Sequence, residues 1–266
     1  MDSLTFVGTA TTVVRLGPFT LLTDPNFLPR GQRAYLGKGL WSRRLTEPAM
    51  SPAQLPELDA VVLSHLHGDH FDRVARRELP RPLQVFTTPQ AAGRLGRWGF
   101  TAEGLDTWER RTLRRDRESL EITALPAVHA RGLMGRLLPP VMGSLLALSS
   151  DGVVRRRVYV SGDTLTGEHI DEIAHRFPDL DAAVVHLGGT RVLFHTVTMD
   201  AEQGVDFLSR VRPRQVVPVH YDDYGVFRSP LADFTAAAAG TSWAQVVTPV
   251  RRGETIPLGP AGDPGP

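Results

Sequence analysis

Four short apolar runs in this chain end in residues able to bind a metal ion, and that recurrence limits the folds open to it. Leu58 to Leu63 leads into Ser64-His65-Leu66-His67-Gly68-Asp69-His70-Phe71-Asp72, and Leu120 to Leu125 leads to His129. Arg157 to Ser161 ends at Gly162-Asp163-Thr164, and Gln215 to Val219 ends at His220. A buried strand that stops at a loop presents side chains at its carboxyl end, so several such strands can bring ligands together along one sheet edge. His65 and His67 point the same way in extended chain, while Gly68 lets the chain turn before Asp69 and His70. The pattern reads as a site for two adjacent metals. A solvated polar turn is the bland alternative, but four ligand-type side chains within six positions after an apolar strand make it the weaker one.

Zinc takes about four ligands, and a catalytic site leaves one position to water, so the motif needs help from elsewhere. His129 is the next candidate because it ends a strand just as the motif does. Asp163, taken alone, reads as a turn or capping aspartate. His220 closes the series. His169 and His175 lie six apart on a helical segment and so face different ways. His186 ends Leu180 to Leu187, an echo of Leu58 to Leu63 that suggests two similar halves packed face to face. A supporting role suits it better than ligation. With no cysteine, any metal must be held by imidazole and carboxylate.

The rest of the chain reads as a mixture of strands and helices. Leu4–Val7, Thr12–Leu16 and Phe19–Leu22 form a meander that Asp24-Pro25 ends. Residues 26–50 lack a clear period and read as a long loop, either bordering the site or making a surface excursion. Short helices are expected at Ser51–Leu55, Phe71–Glu78 and Pro89–Trp98, and longer ones over Glu168–Phe177, Met199–Val211 and from Ser229-Pro230 to Gly240. Leu83–Thr87, Leu145–Leu148 and Trp243–Val250 complete the expected strands. The arginines from Arg110 to Arg117 read as a solvated face. Arg131 to Gly143 is apolar and turn-rich, and reads either as a wall over the metals with Arg131 or Arg136 able to meet an anionic group, or as a hairpin connection or dimer contact.

At 266 residues the chain can bury a large core, and one domain over 1–258 with a frayed tail over 259–266 is the favoured organisation. A net charge of +1 argues against a nucleic-acid partner. Of the 30 basic residues only Lys38 is lysine, which reads as codon bias rather than a binding surface. Thr235 to Val250, the longest uncharged stretch, is too short and too broken to span a membrane. Met1 to Gly8 carry no basic n-region, so a soluble, cytoplasmic protein is expected.

The ordered set His65-Leu66-His67-Gly68-Asp69-His70, His129, Gly162-Asp163-Thr164 and His220 resembles the metallo-β-lactamase superfamily. Val7-Gly8-Thr9-Ala10-Thr11, Leu22-Thr23-Asp24-Pro25, Leu55 to Ala60 and Gly143-Ser144 resemble the branch with N-acyl-phosphatidylethanolamine phospholipase D and ascorbate-6-phosphate lactonase. The resemblance implies an α/β fold, a four-layer αβ/βα sandwich with two metals at one edge. It assigns His65, His67 and His129 to one metal and Asp69, His70 and His220 to the other, with Asp163 bridging. Relatives in this branch often carry a histidine before the helix that here begins near Met199. This chain has Thr198 there and His195 upstream.

The expected activity is therefore a metal-dependent hydrolase. A hydroxide held between two divalent ions, zinc by default with manganese or iron as alternatives, would cleave a phosphodiester, a lactone or another ester of a small-molecule substrate. Asp69 is the candidate catalytic carboxylate, and Arg131, His195 and Tyr221 are the candidate substrate contacts. A non-catalytic metal- or metabolite-binding protein and a nuclease-type phosphodiesterase are the alternatives. A homo-oligomer is compatible with the sequence.

Overall fold

In the computed structural model, which describes residues 1–132, 135, 138–192 and 195–259, alternation along the first strands sets the architecture. Strands β1 (Ser3–Gly8), β2 (Thr11–Leu16) and β3 (Phe19–Thr23) form an antiparallel meander. Leu4, Phe6, Val14, Leu16, Phe19 and Leu21 face one apolar core, and Val7, Val13 and Leu22 face another. Both faces of the meander are covered, as the period of two in side-chain direction allows. A small antiparallel hairpin, β4 (Arg33–Tyr35) with β5 (Trp41–Arg43), follows it. Then β6 (Ala60–Val62), β7 (Val85–Thr87) and β8 (Ala102–Gly104) add to β3 in parallel.

The second sheet repeats this plan. Strands β9 (Arg110–Arg115), β10 (Glu118–Pro126), β11 (Met142–Ser150) and β12 (Val153–Val160) are antiparallel. After them β13 (Ala182–His186) and β16 (Val216–Val219) join in parallel, with a two-stranded β14 (Arg191–Val192) and β15 (His195–Thr196) between them in sequence. Parallel strands are buried on both faces, which is why β6, β13 and β16 are unbroken buried runs. β17 (Thr255–Pro257) pairs with β1, giving the orders β17-β1-β2-β3-β6-β7-β8 and β16-β13-β12-β11-β10-β9.

One core joins Phe6, Leu21 and Phe86 of the first sheet to Leu120, Leu146 and Val184 of the second, so the sheets pack face to face. Helices α1 (Arg73–Glu78) and α2 (Pro89–Arg97) cover the outside of the first through Val74, Ala75 and Leu95. Helices α3 (Glu168–Arg176), α4 (Ala201–Val211) and α5 (Leu231–Ala239) cover the second through Ile170, Ile173, Phe207, Leu208 and Phe234. The result is the expected αβ/βα sandwich. Among the described residues no helix is long and apolar enough to cross a membrane.

Several expectations need correction. Residues 26–50 are not a plain loop, since they contain the β4–β5 hairpin. Its strands alternate exposed and buried residues, but three residues each is too short for that alternation to stand out. The arginines from Arg110 are largely exposed, as expected of a solvated face, but they lie on the edge strand β9, whose charges blunt an otherwise unpaired sheet edge. Trp243–Val250 is not a strand. Thr241 caps a 3₁₀ turn at Ser242–Gln245 by accepting from the Trp243 backbone N–H, and the final strand is β17. Arg136 and residues 260–266 of the expected tail lie outside the described residues.

Helix α4 carries Gly204 in its interior, where the missing side chain admits Phe234 of α5. An ideal Cβ at Gly204 would stand 2.8 Å from the Phe234 ring and 3.0 Å from Leu187. On an exposed helix a Gly→Ala change would stabilise by about 1 kcal/mol. Here we expect Gly204→Ala to destabilise by about 1–3 kcal/mol through overpacking, read as a lower urea midpoint at unchanged m.

Candidate metal centre

The loops after β6, β10, β12 and β16 meet at one edge of the sandwich, and their polar side chains are almost wholly shielded from water. His65, His67, Asp69, His70, His129, Asp163 and His220 are each no more than 8% exposed. Potential ligand atoms of His65, His67 and His129 lie within 4.8 Å of one another, as do those of Asp69, His70 and His220 and those of His65, His70 and Asp163. Within the first two groups the closest approaches are His65 Nε2 to His67 Nδ1 at 2.8 Å, His67 Nδ1 to His129 Nε2 at 3.4 Å and His220 Nε2 to Asp69 Oδ2 at 3.4 Å. Asp163 Oδ2 stands between the groups, 3.2 Å from His70 Nε2 and 3.9 Å from His65 Nε2.

The outward nitrogens dictate what the inward ones can do. His129 Nδ1 is 2.8 Å from the Val197 carbonyl and His220 Nδ1 is 3.1 Å from the Leu187 carbonyl. A carbonyl only accepts, so each Nδ1 carries the proton and each Nε2 is left to turn a lone pair inward. His70 Nδ1 meets Asp24 Oδ2 at 3.1 Å. His65 Nδ1 meets Ser64 Oγ at 3.0 Å, and that hydroxyl in turn donates to Asp24 Oδ2 at 3.0 Å. Inward lone pairs facing one another or facing carboxylates repel unless a cation or a proton lies between them.

Electrostatics divide the residues into two groups. Burial, reinforced by neighbouring histidines, holds His65 well below its ordinary value and His67 down at about 4, and burial lowers His129 as well. These rings are neutral, the form that ligates. For His70 burial works downward, but Asp163, Asp24 and Asp69 outweigh it and raise the group well above its usual range. His220 is raised in the same way, with Asp163 as the main opposing charge. Burial pushes the Asp163 carboxyl upward, yet His220 and His70 hold it well below the carboxylate range. Protons and metal ions thus compete for the same nitrogens here.

The donor set fits divalent cations. Asp69 Oδ1 and Asp163 Oδ1 are buried without a hydrogen-bond partner, an arrangement that is costly unless something positive meets them. Imidazole and carboxylate without thiolate suit zinc, manganese and iron. A fourth group of mutually close ligand atoms, Asp24, His70 and His186, lies behind the others and braces them. Asp24 accepts from the Ser64 backbone at 2.7 Å, from His186 Nε2 at 3.2 Å and from His70. Its carboxyl is depressed to about 2, because His70 and His186 overcome the opposing effect of burial.

Sequence reasoning missed Asp24, taking Asp24-Pro25 only as the end of a sheet. It ends β3 just as the other ligand-type residues end their strands, and that placement was the available signal. The candidate substrate contacts are dispersed. Arg131 Nη2 donates to the Thr166 carbonyl at 2.7 Å, His195 is exposed on β15, and Tyr221 is buried with its ring 6.1 Å from Phe6.

A family model described as a beta-lactamase superfamily domain matches residues 20–221, well over half of the chain. The chain belongs to that family. Its relatives include a UPF0173 metal-dependent hydrolase of Pelotomaculum thermopropionicum, 28% identical over 203 residues that cover 74% of this chain and 82% of the relative. The N-acyl-phosphatidylethanolamine-hydrolyzing phospholipase D 1 of Caenorhabditis elegans is 27% identical over 237 residues, 83% of this chain but only 64% of the relative. The crystal structure of an isothiocyanate hydrolase from Delia radicum gut bacteria shares the fold, with a TM-score of 0.80, 19% identity and coverage of 97% of this chain and 99% of the other.

Asp24 offers a direct test of the outer contacts. Asp24→Ala removes the acceptor of His70, His186 and Ser64 while leaving every inward-facing side chain in place. Metal affinity should fall about 10–100-fold, measured by competition against a chelator.

Proposed function

We propose that the chain is a metal-dependent hydrolase of the metallo-β-lactamase fold whose site holds two divalent cations, zinc by default. The observation that carries this reading is the convergence of inward imidazole nitrogens and unpartnered carboxylate oxygens from both sheets. His65, His67 and His129 would hold one cation and Asp69, His70 and His220 the other, with Asp163 available to both. Because the ligands come from both sheets, residues 1–258 act as one domain of two similar halves. A cysteine-free chain of this kind suits the cytoplasm.

When bound, such a metal pair supplies Lewis acidity and lowers the pKa of water toward 7. The protein's own groups do the rest. Asp69 Oδ1, buried and unpartnered, is placed to accept a proton from an attacking water or to orient it. Val197 and Leu187 fix the ring orientation of His129 and His220 through their carbonyls, and Asp24 does so for His70. Burial of the site keeps bulk water from screening these charges.

The substrate class favoured is a phosphodiester, or a lactone or other ester. Among related proteins one is named for hydrolysing a phospholipid and another for hydrolysing an isothiocyanate, which supports a site able to present water to differing electrophiles. Elemental analysis should find about two metal ions per chain, and bis(p-nitrophenyl) phosphate or a member of a small lactone panel should be turned over. His67→Ala should lose both metal and turnover. Metal uptake without hydrolysis of any of these compounds by the wild type would count against the hydrolase and favour a binding protein. Chelation should also lower the melting temperature reversibly, since a ligand at 100 times its Kd stabilises by about 2.7 kcal/mol, and an unchanged melting curve would argue against a structural pull from the metals.

A further inference from the structure

The loops that carry the proposed ligands are joined beneath the site by one buried cation. Arg44, just after β5, is wholly inaccessible to solvent. Its Nη1 donates to the Asn26 carbonyl at 3.0 Å and to Asn26 Oδ1 at 2.5 Å, and its Nη2 stands 3.7 Å from Asp223 Oδ1. Asn26 Nδ2 in turn donates to the carbonyl of Gly68 at 2.9 Å, between His67 and Asp69. Asp223 Oδ2 accepts from the Thr9 backbone at 2.9 Å, and the Thr9 carbonyl accepts from the His220 backbone at 2.7 Å. The guanidinium therefore has one arm toward each ligand loop. Thr9 and His220, in the second arm, both have left-handed backbones, with φ of 55° and 63°. Non-glycine residues persist there only where their surroundings impose it.

Stability alone does not account for this arginine. Its Nε and Nη2 are buried without a hydrogen bond. Asp223 has a nearer cation in Arg252, whose Nη2 is 3.1 Å away, and also accepts from the Thr46 hydroxyl. Asn26 Oδ1 accepts from Tyr224 Oη at 3.1 Å and from Thr9 Oγ1 at 3.2 Å. Removing one member of a buried pair costs about 3–5 kcal/mol when it leaves the other charge uncompensated, but neither partner would be orphaned here, because Arg252 stays beside Asp223 and Tyr224 and Thr9 stay on Asn26 Oδ1. An apolar side chain can neither bond both Asn26 acceptors, as Nη1 does, nor keep a positive charge facing Asp223, as Nη2 does at 3.7 Å. Gly8 accommodates that fork, because a Cβ there would stand 2.8 Å from Arg44 Nη2.

We propose that Arg44 is a positioning residue that fixes the spacing between the Gly68 and His220 loops and so governs occupancy of the Asp69, His70 and His220 site, leaving the His65, His67 and His129 site unaffected. This rests on the two-metal reading above. The test is stepwise titration of metal-depleted full-length protein with Co²⁺, followed by visible absorption and by competition with a chelator, for wild type, Arg44→Met and Arg44→Lys. Arg44→Lys keeps the buried charge without the fork and serves if Arg44→Met does not fold. In the variants the first equivalent should bind as in wild type and the second at least about 10-fold more weakly, while the melting temperature of the metal-depleted protein stays within a few degrees. Wild-type affinity for both equivalents in either folded variant would overturn the proposal. So would loss of both equivalents together with a fall in that melting temperature, which marks a merely structural role. A wild-type chain that takes up a single equivalent would instead refute the two-metal reading, and the role of Arg44 with it.

Discussion

Nearly everything at the open edge of this sandwich answers to one constraint: acidic and imidazole side chains are crowded together where water cannot separate them. Asp69 and Asp163 would repel one another and lose hydration at that depth, and the histidines between them can offset this only by carrying protons or sharing cations. The fold supplies the remaining balance from outside. Carbonyls of Val197 and Leu187 and the carboxylate of Asp24 each take an outward N–H and so determine which atom faces in.

The layers beneath exist to hold that edge still. β3, β6 and β7 run parallel in one sheet and β12, β13 and β16 in the other, so the carboxyl ends of β6, β12 and β16 deliver the motif, Asp163 and His220 at the same side. His129 arrives from β10, an antiparallel strand beside β11. Phe6, Leu21, Leu146 and Val184 clamp the two sheets through a shared core, fixing the distance between the proposed ligands contributed by different sheets.

Much of this was legible in the residue order, because burial and ligation leave periodic traces. The meander, the buried parallel strands and the positions of most helices follow from spacing, whereas the Asp72 cap that starts α1 at Arg73 rather than at Phe71 did not show in the sequence. What escaped was whatever depends on tertiary contact. The β4–β5 hairpin is specified less by its own alternation than by the Gly68 N–H donating to the Tyr35 carbonyl at 2.8 Å. Nothing local distinguishes Arg44 among so many arginines, and only its burial against Asn26 and Asp223 singles it out. The stretch from Trp243 looked like a strand because Val246 and Val247 are β-formers, yet the Trp243 indole N–H donates to Ser209 Oγ at 3.2 Å and the chain turns there.

The division of the proposed ligands between the sheets has a consequence for a chain without a single cysteine. Secreted proteins of modest size often gain covalent ties between distant segments from disulfides, and those ties follow the redox state of their surroundings. Here His65 and His67 follow a strand of one sheet, while His129 and His220 follow strands of the other. Cations seated among them would act as a reversible cross-link, opened and closed by the supply of metal rather than by oxidants, and catalytic readiness and mechanical integrity would then rise and fall together.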